Sequence, residues 1–272
     1  MLILETSSWV RPAAILLLSW GLHAQWLDYP TPGVPKTRDG KPNLNAPAPR
    51  TPDGHPDFSG LWEAEKNRPC DPEGCRDLEP GEQFFNLGWH LEGGIPYQPW
   101  AAEIVKQRMA EHAKDDPDSQ CLPQGILKMH TAPLLRKIIQ IPGLIVILNE
   151  RNATYRQIFT DGRPLEADPQ PSWRGYSTAK WDKDTLVVQS NGFRDNLWLD
   201  RNGTFTTESA KLTERFRRLT YGHLEVEVTV DDPKAYTRPW TVKLNQFLAL
   251  NTELLDFFCL ENEKDMPHLV GK

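Results

Sequence analysis

The sequence is short of the features that most often name a reaction. No G-x-S-x-G elbow, HExxH pair, phosphate-binding loop or dinucleotide fingerprint occurs in its 272 residues, which removes the readable forms of serine hydrolase, zinc protease and nucleotide enzyme. Basic charge is scarce as well: 31 Lys and Arg stand against 37 Asp and Glu, a net charge of -6. Without a basic field to draw phosphates, nucleic acid is not expected as a partner, and Arg215, Arg217 and Arg218 are too mixed with acids to form a stripe. His130 and His223 lie in the strand-rich half without ligand spacing, so no metal and no cofactor is expected. Long apolar runs are absent too. The best is Pro12 to Leu22, short of the roughly 20 residues that cross a bilayer, so no integral membrane segment is expected in the mature chain.

That short run has another use. Arg11 precedes it and Ala24 follows it, the layout of a signal peptide over residues 1–24, which places the mature protein in the periplasm or outside the cell. The four cysteines agree with an oxidising compartment. Four cysteines allow three pairings; the turn-like spacing of Cys70 and Cys75 favours a local disulfide and leaves Cys121 with Cys259.

From residue 25 to 56 the chain is rich in Pro and Gly, as in an extended or disordered leader. It holds a small duplication, TRDGKPNL at Thr37 and TPDGHPDF at Thr51. A single β domain is expected over 57–272, with an insertion and one short helix within about 63–120. Pro99 to Ala113 is the helical stretch, because Trp100, Ile104, Val105 and Met109 fall near helical spacing. Strand-like runs then follow at short intervals, from the pair split by Pro142-Gly143 to a last one at Glu253–Leu260. Short loops imply antiparallel neighbours, and the clean alternation of Leu224, Val226, Val228 and Val230 against Glu225, Glu227 and Thr229 gives one buried face. The fold class expected is all-β: an antiparallel meander closing into a lipocalin-like β-barrel, with a two-sheet sandwich as the alternative.

Polar and aromatic residues crowd into 155–200. The parity that turns Leu212 and Phe216 inward also turns Glu214 inward, either as an ion pair with Arg156 or as a general acid or base with a raised pKa. Asp195 and Asp200 are the other candidates for carboxylate chemistry. Trp173, Tyr176, Trp198, Tyr236 and Trp240 offer flat faces, and Arg156, Asp161 and Arg163 offer orienting groups, for a small organic ligand such as a carbohydrate or an aromatic ring compound. Three functions follow in order: an extracytoplasmic small-molecule-binding barrel, a hydrolase, lyase or isomerase of carbohydrate or ring compounds, and a cell-envelope interaction protein using the leader.

The segments TPDGHPDFSGLW, CLPQG, IIQIPGLIVIL, YRQIFTDGRPL, PSWRGYSTAKWDKDTLVV, GFRDNLWLD, LTERFRR, VTVDDPKAYTRPWTV and ENEKDMPHLVGK run from Thr51 to Lys272. Together they resemble a family of secreted proteins abundant in acidobacteria and other soil bacteria, whose members are described in the main as hypothetical proteins. The resemblance implies an extracytoplasmic location and an intact fold, and brings no catalytic set to these residues. The chain departs from the family's pattern at Thr178-Ala-Lys180 and at Lys183, where glycine is common in the turn.

Overall fold

The computed structural model describes residues 29–65 and 87–261. The expected signal segment and the Cys70–Cys75 turn lie outside the described residues. Nine strands close a barrel: β1 (Gly60–Ala64), β2 (Arg136–Ile141), β3 (Leu144–Asn149), β4 (Thr154–Phe159), β5 (Tyr176–Asp182), β6 (Thr185–Asn191), β9 (Lys211–Thr220), β10 (His223–Asp231) and β11 (Trp240–Leu248). Between β6 and β9 a two-stranded ribbon, β7 (Leu197–Trp198) with β8 (Phe205–Thr206), stands apart. Among the described residues two α-helices precede β2: α1 (Pro99–Ala110) and the short α2 (Ile126–Thr131). None of the described helices is long and apolar enough to cross a membrane.

Alternation carries the barrel. Leu224, Val226, Val228 and Val230 of β10 are all buried, each worth about 1.5–3 kcal/mol relative to exposure. Their strand pairs on both sides over its length, with β9 and with β11. One departure from an antiparallel meander matters later. β4 and β5 are parallel and share a single pair, Phe159 with Thr178, because residues 160–175 carry the chain back before β5 begins.

The barrel closes through the first strand, not the last. β1 pairs with β11 on one side and β2 on the other, so no edge is left for the expected strand at Glu253–Leu260. That segment instead runs along the outside, joined by the Arg151–Phe257 bridge and by the Cys121–Cys259 disulfide.

Both ends of the barrel are stoppered. At one end sits α2, too short to persist alone. The barrel supplies its missing partners: Arg136 Nη1 donates to Met129 O at 2.6 Å, and Gln246 Nε2 donates to His130 O at 2.9 Å, satisfying carbonyls of the helix's last turn. At the other end the leader is ordered rather than loose. Its two copies make the same bonds fourteen positions apart: Gly40 N to Thr37 O and Thr37 N to Lys41 O, then Gly54 N to Thr51 O and Thr51 N to His55 O. From the second copy His55 stacks on Trp181 at 4.3 Å, and Phe58 enters against Trp181 and Phe216. The β5–β6 turn at this end holds Lys183 at φ 56°, the left-handed conformation that glycine takes without strain.

Candidate functional site

The lumen is filled, and its polar residues are spent on one another. Glu214 is fully buried. Its Oε1 accepts from Arg156 Nη1 at 2.9 Å and from His130 Nε2 at 2.9 Å, and its Oε2 accepts from Arg156 Nη2. The same guanidinium donates to Ser177 and Ser190 hydroxyls, which bond each other at 2.8 Å. Burial alone would raise the Glu214 carboxyl, but the charge of Arg156 and the hydrogen bond from His130 hold it down at about 2. Burial pushes His130 down as well, so a neutral imidazole donates to an ionised carboxylate. Of the two expectations for Glu214, the ion pair with Arg156 is the arrangement present. A void among Trp62, His130, Arg136 and Phe216 is about 10 Å³, room for no more than a single water.

An opening lies in the wall. Because β4 and β5 share one pair, their other ends splay and leave a groove of about 390 Å³. Tyr155 and Phe159 line it from β4, Trp173 and Arg174 from the link, and Tyr176 from β5. Tyr155 is 63% exposed. Tyr176 and Phe159 lie 5.4 Å apart, the Arg194 guanidinium sits over Trp173 at 5.0 Å, and Arg163 covers Phe159 at 3.9 Å while paired with Asp161 at 2.6 Å. Among the described residues no carboxylate lines the groove.

Local geometry holds the link in place. Ser172 bridges to Phe193, with Ser172 N donating to Gly192 O at 3.0 Å and Arg194 N to Ser172 O at 3.1 Å. Gly175 has φ +62°, and a Cβ there would meet Asn191 O at 2.3 Å. No other residue fits. Arg174 fills the gap between the strands: Nη1 donates to Tyr155 O at 3.1 Å and Nη2 to Thr154 Oγ1 at 2.7 Å, while Nε has no partner.

A second concavity, about 180 Å³, lies beside α2 among Asp118, Lys128, Arg151, Asp200 and Phe257. Its charges are largely matched already. Lys128 pairs with Asp116 at 2.5 Å and reaches Asp118 at 3.4 Å, and Arg151 lies 3.7 Å from Asp118. Asp200 is buried, and burial raises its carboxyl; its two oxygens accept from Thr204 N at 3.0 Å and Thr204 Oγ1 at 2.7 Å.

The structure therefore sorts the sequence candidates into separate places. Arg156, Trp173 and Tyr176 meet at the groove, with Asp161 and Arg163 beside it. Glu214 is inside the barrel. Asp195 is exposed near Glu208 and Lys234, whereas Asp200 is buried and bonded to Thr204. Trp198 is buried under Arg108, whose guanidinium is 4.5 Å from its ring. Tyr236 donates to Phe205 O at 2.5 Å and packs edge-on against Trp240, both within the core. Sequence reading missed Arg174, Tyr155 and Phe159. The signal for Arg174 was its place between Trp173 and the obligatory Gly175.

Among the described residues no group of three or more His, Cys, Asp or Glu is gathered to hold a metal ion. Comparison of the chain with protein-family models, with curated proteins and with solved structures gave no match.

Proposed function

We propose that this is an extracytoplasmic binding protein for a small ring-bearing molecule, held in the groove between β4 and β5. The observation that carries the reading is the pairing of aromatic faces with a wall that has come apart: four aromatic side chains line a concavity of about 390 Å³ where the sheet makes only one bridge. Stacking supplies affinity and the arginines supply orientation. The Cys121–Cys259 disulfide supports the compartment, since such bonds persist where the surroundings oxidise.

The rivals have less behind them. Carboxylate chemistry at Glu214 would need a proton-exchanging group, yet this one is ion-paired and sealed. Asp200 is the better enzymatic candidate, because it lines the smaller cleft with its carboxyl raised; Asp200→Asn is the substitution that separates catalysis there from binding at the groove. An interaction role for the leader fits poorly with residues 44–58 being bound to the barrel end.

A thermal-shift screen of the mature protein against sugars, aromatic compounds and lipids tests the proposal. A ligand raises apparent stability by mass action. A ring compound is expected to shift the native chain and to lose its effect in Trp173→Ala/Tyr176→Ala. A shift that survives that double substitution would place the ligand elsewhere.

A further inference from the structure

Resting on that reading, we infer that the groove selects an anion: its ligand is a planar ring bearing a carboxylate, with the carboxylate at Arg174 and the ring on Trp173 and Tyr176.

Arg174 is 9% exposed and lines the groove. A guanidinium has five N–H donors. Closing the gap between β4 and β5 uses two of them, on Tyr155 O and Thr154 Oγ1, and Nε, itself buried, has no acceptor among the described residues. A buried cation is costly unless a counter-charge meets it. Among the described residues Arg174 makes no ion pair, and the charge that acts on it is the like charge of Arg156. Burial, with Arg156 adding to it, pushes Arg174 down to about 10, and no carboxylate opposes them. Arg156 also reaches the groove, but its charge is already matched by Glu214 on the lumen side. The Arg194 guanidinium over Trp173 adds a second positive group at the rim.

The fork of an arginine matches two carboxylate oxygens, and its charge-assisted bonds exceed neutral ones. A neutral sugar or a neutral aromatic would leave the Arg174 charge uncompensated. A simple anion without a ring would leave the aromatic faces bare. A ring carboxylate answers both.

The test compares acids with their own amides, so that shape is kept and charge removed. Calorimetric titration of the native chain with cinnamate and cinnamamide, and with benzoate and benzamide, is expected to show the acids binding at least about tenfold tighter, the ratio carried by bonds to a charged group. In Arg174→Met the preference is expected to vanish while amide binding stays. Because the acid-to-amide ratio is read on the native chain, it stands even where a variant fails to fold. Equal binding of acid and amide overturns the inference and leaves the ring-binding groove intact. Absence of binding by every ring compound overturns both. A glucuronate that binds tighter than cinnamate keeps the anion and overturns the planar ring.

Discussion

Two buried arginines, Arg156 and Arg174, lie close enough for one to depress the other, and they are treated oppositely. Arg156 faces the lumen and has a carboxylate and two hydroxyls, its charge cancelled within hydrogen-bond reach. Arg174 lies at the seam and has a carbonyl, a hydroxyl and no acid. A buried charge with a built-in partner serves the fold, whereas one without a partner leaves part of its interaction for something outside the chain. The contrast is what distinguishes the sealed interior from the open wall.

The largest effect should come from breaking the sealed partner. Glu214→Gln leaves Arg156 buried and unpaired, and a loss of about 3–5 kcal/mol in denaturant unfolding is expected. A loss under about 1 kcal/mol would mean that the lumen is wetter than its packing implies. The same residue sets an acid limit. Its folded value near 2 lies below the ordinary 4.5, so its contribution is whole above about pH 4.5 and is lost as pH falls towards 2. Unfolding followed across that window should show native stability dropping more steeply than in an Arg156→Met/Glu214→Leu chain.

Next in size is the disulfide. Cys121 and Cys259 are 138 residues apart, and replacing both by Ser should cost about 2–4 kcal/mol. Acid-to-amide selectivity at the groove should survive, because the bond lies beside the smaller cleft. A smaller loss, about 1–3 kcal/mol, is expected of Gly175→Ala, which forces a methyl against Asn191 O and strains a positive φ. Here affinity should fall more than stability, since the link carrying Trp173 and Arg174 must shift. An unfolding curve and a cinnamate titration on one sample read both. The smallest effect sharpens the comparison most. Arg174→Met loses two hydrogen bonds but also an uncompensated charge, so its stability should stay within about 1 kcal/mol of the native chain. A large destabilisation would make Arg174 a structural clamp like Arg156.

Much of the barrel was legible because alternation is a local signal. β10 reads inward and outward at every second residue, and the Pro142-Gly143 turn marks the β2–β3 hairpin without help from the rest of the chain. Three features were not local. α2 has six residues, too few to show a helical period, and exists because Arg136 and Gln246 hold its carbonyls. The leader reads as loose from its Pro and Gly content, yet Arg50 pairs with Asp184, and His55 and Phe58 dock on Trp181. The apolar run at 253–260 has strand composition, but β1 had already taken the open edge. The site divides in the same way. Trp173, Tyr176 and Arg156 were visible as residue types in a crowded stretch, whereas the parallel turn of the chain that brings β5 beside β4 follows from a sixteen-residue link whose path no pattern encodes. Arg174 drew no notice because its meaning lies in which acids are absent around it.

A hoop is as strong as its weakest joint. In this barrel that joint is the single Phe159–Thr178 pair, flanked by staves that are bonded along most of their length. Thermal breathing of the wall should therefore concentrate there, and a molecule that bridges β4 to the link before β5 acts as a clasp on the hoop. Occupancy of one shallow groove would then be felt by the whole circumference, including strands that never touch the ligand.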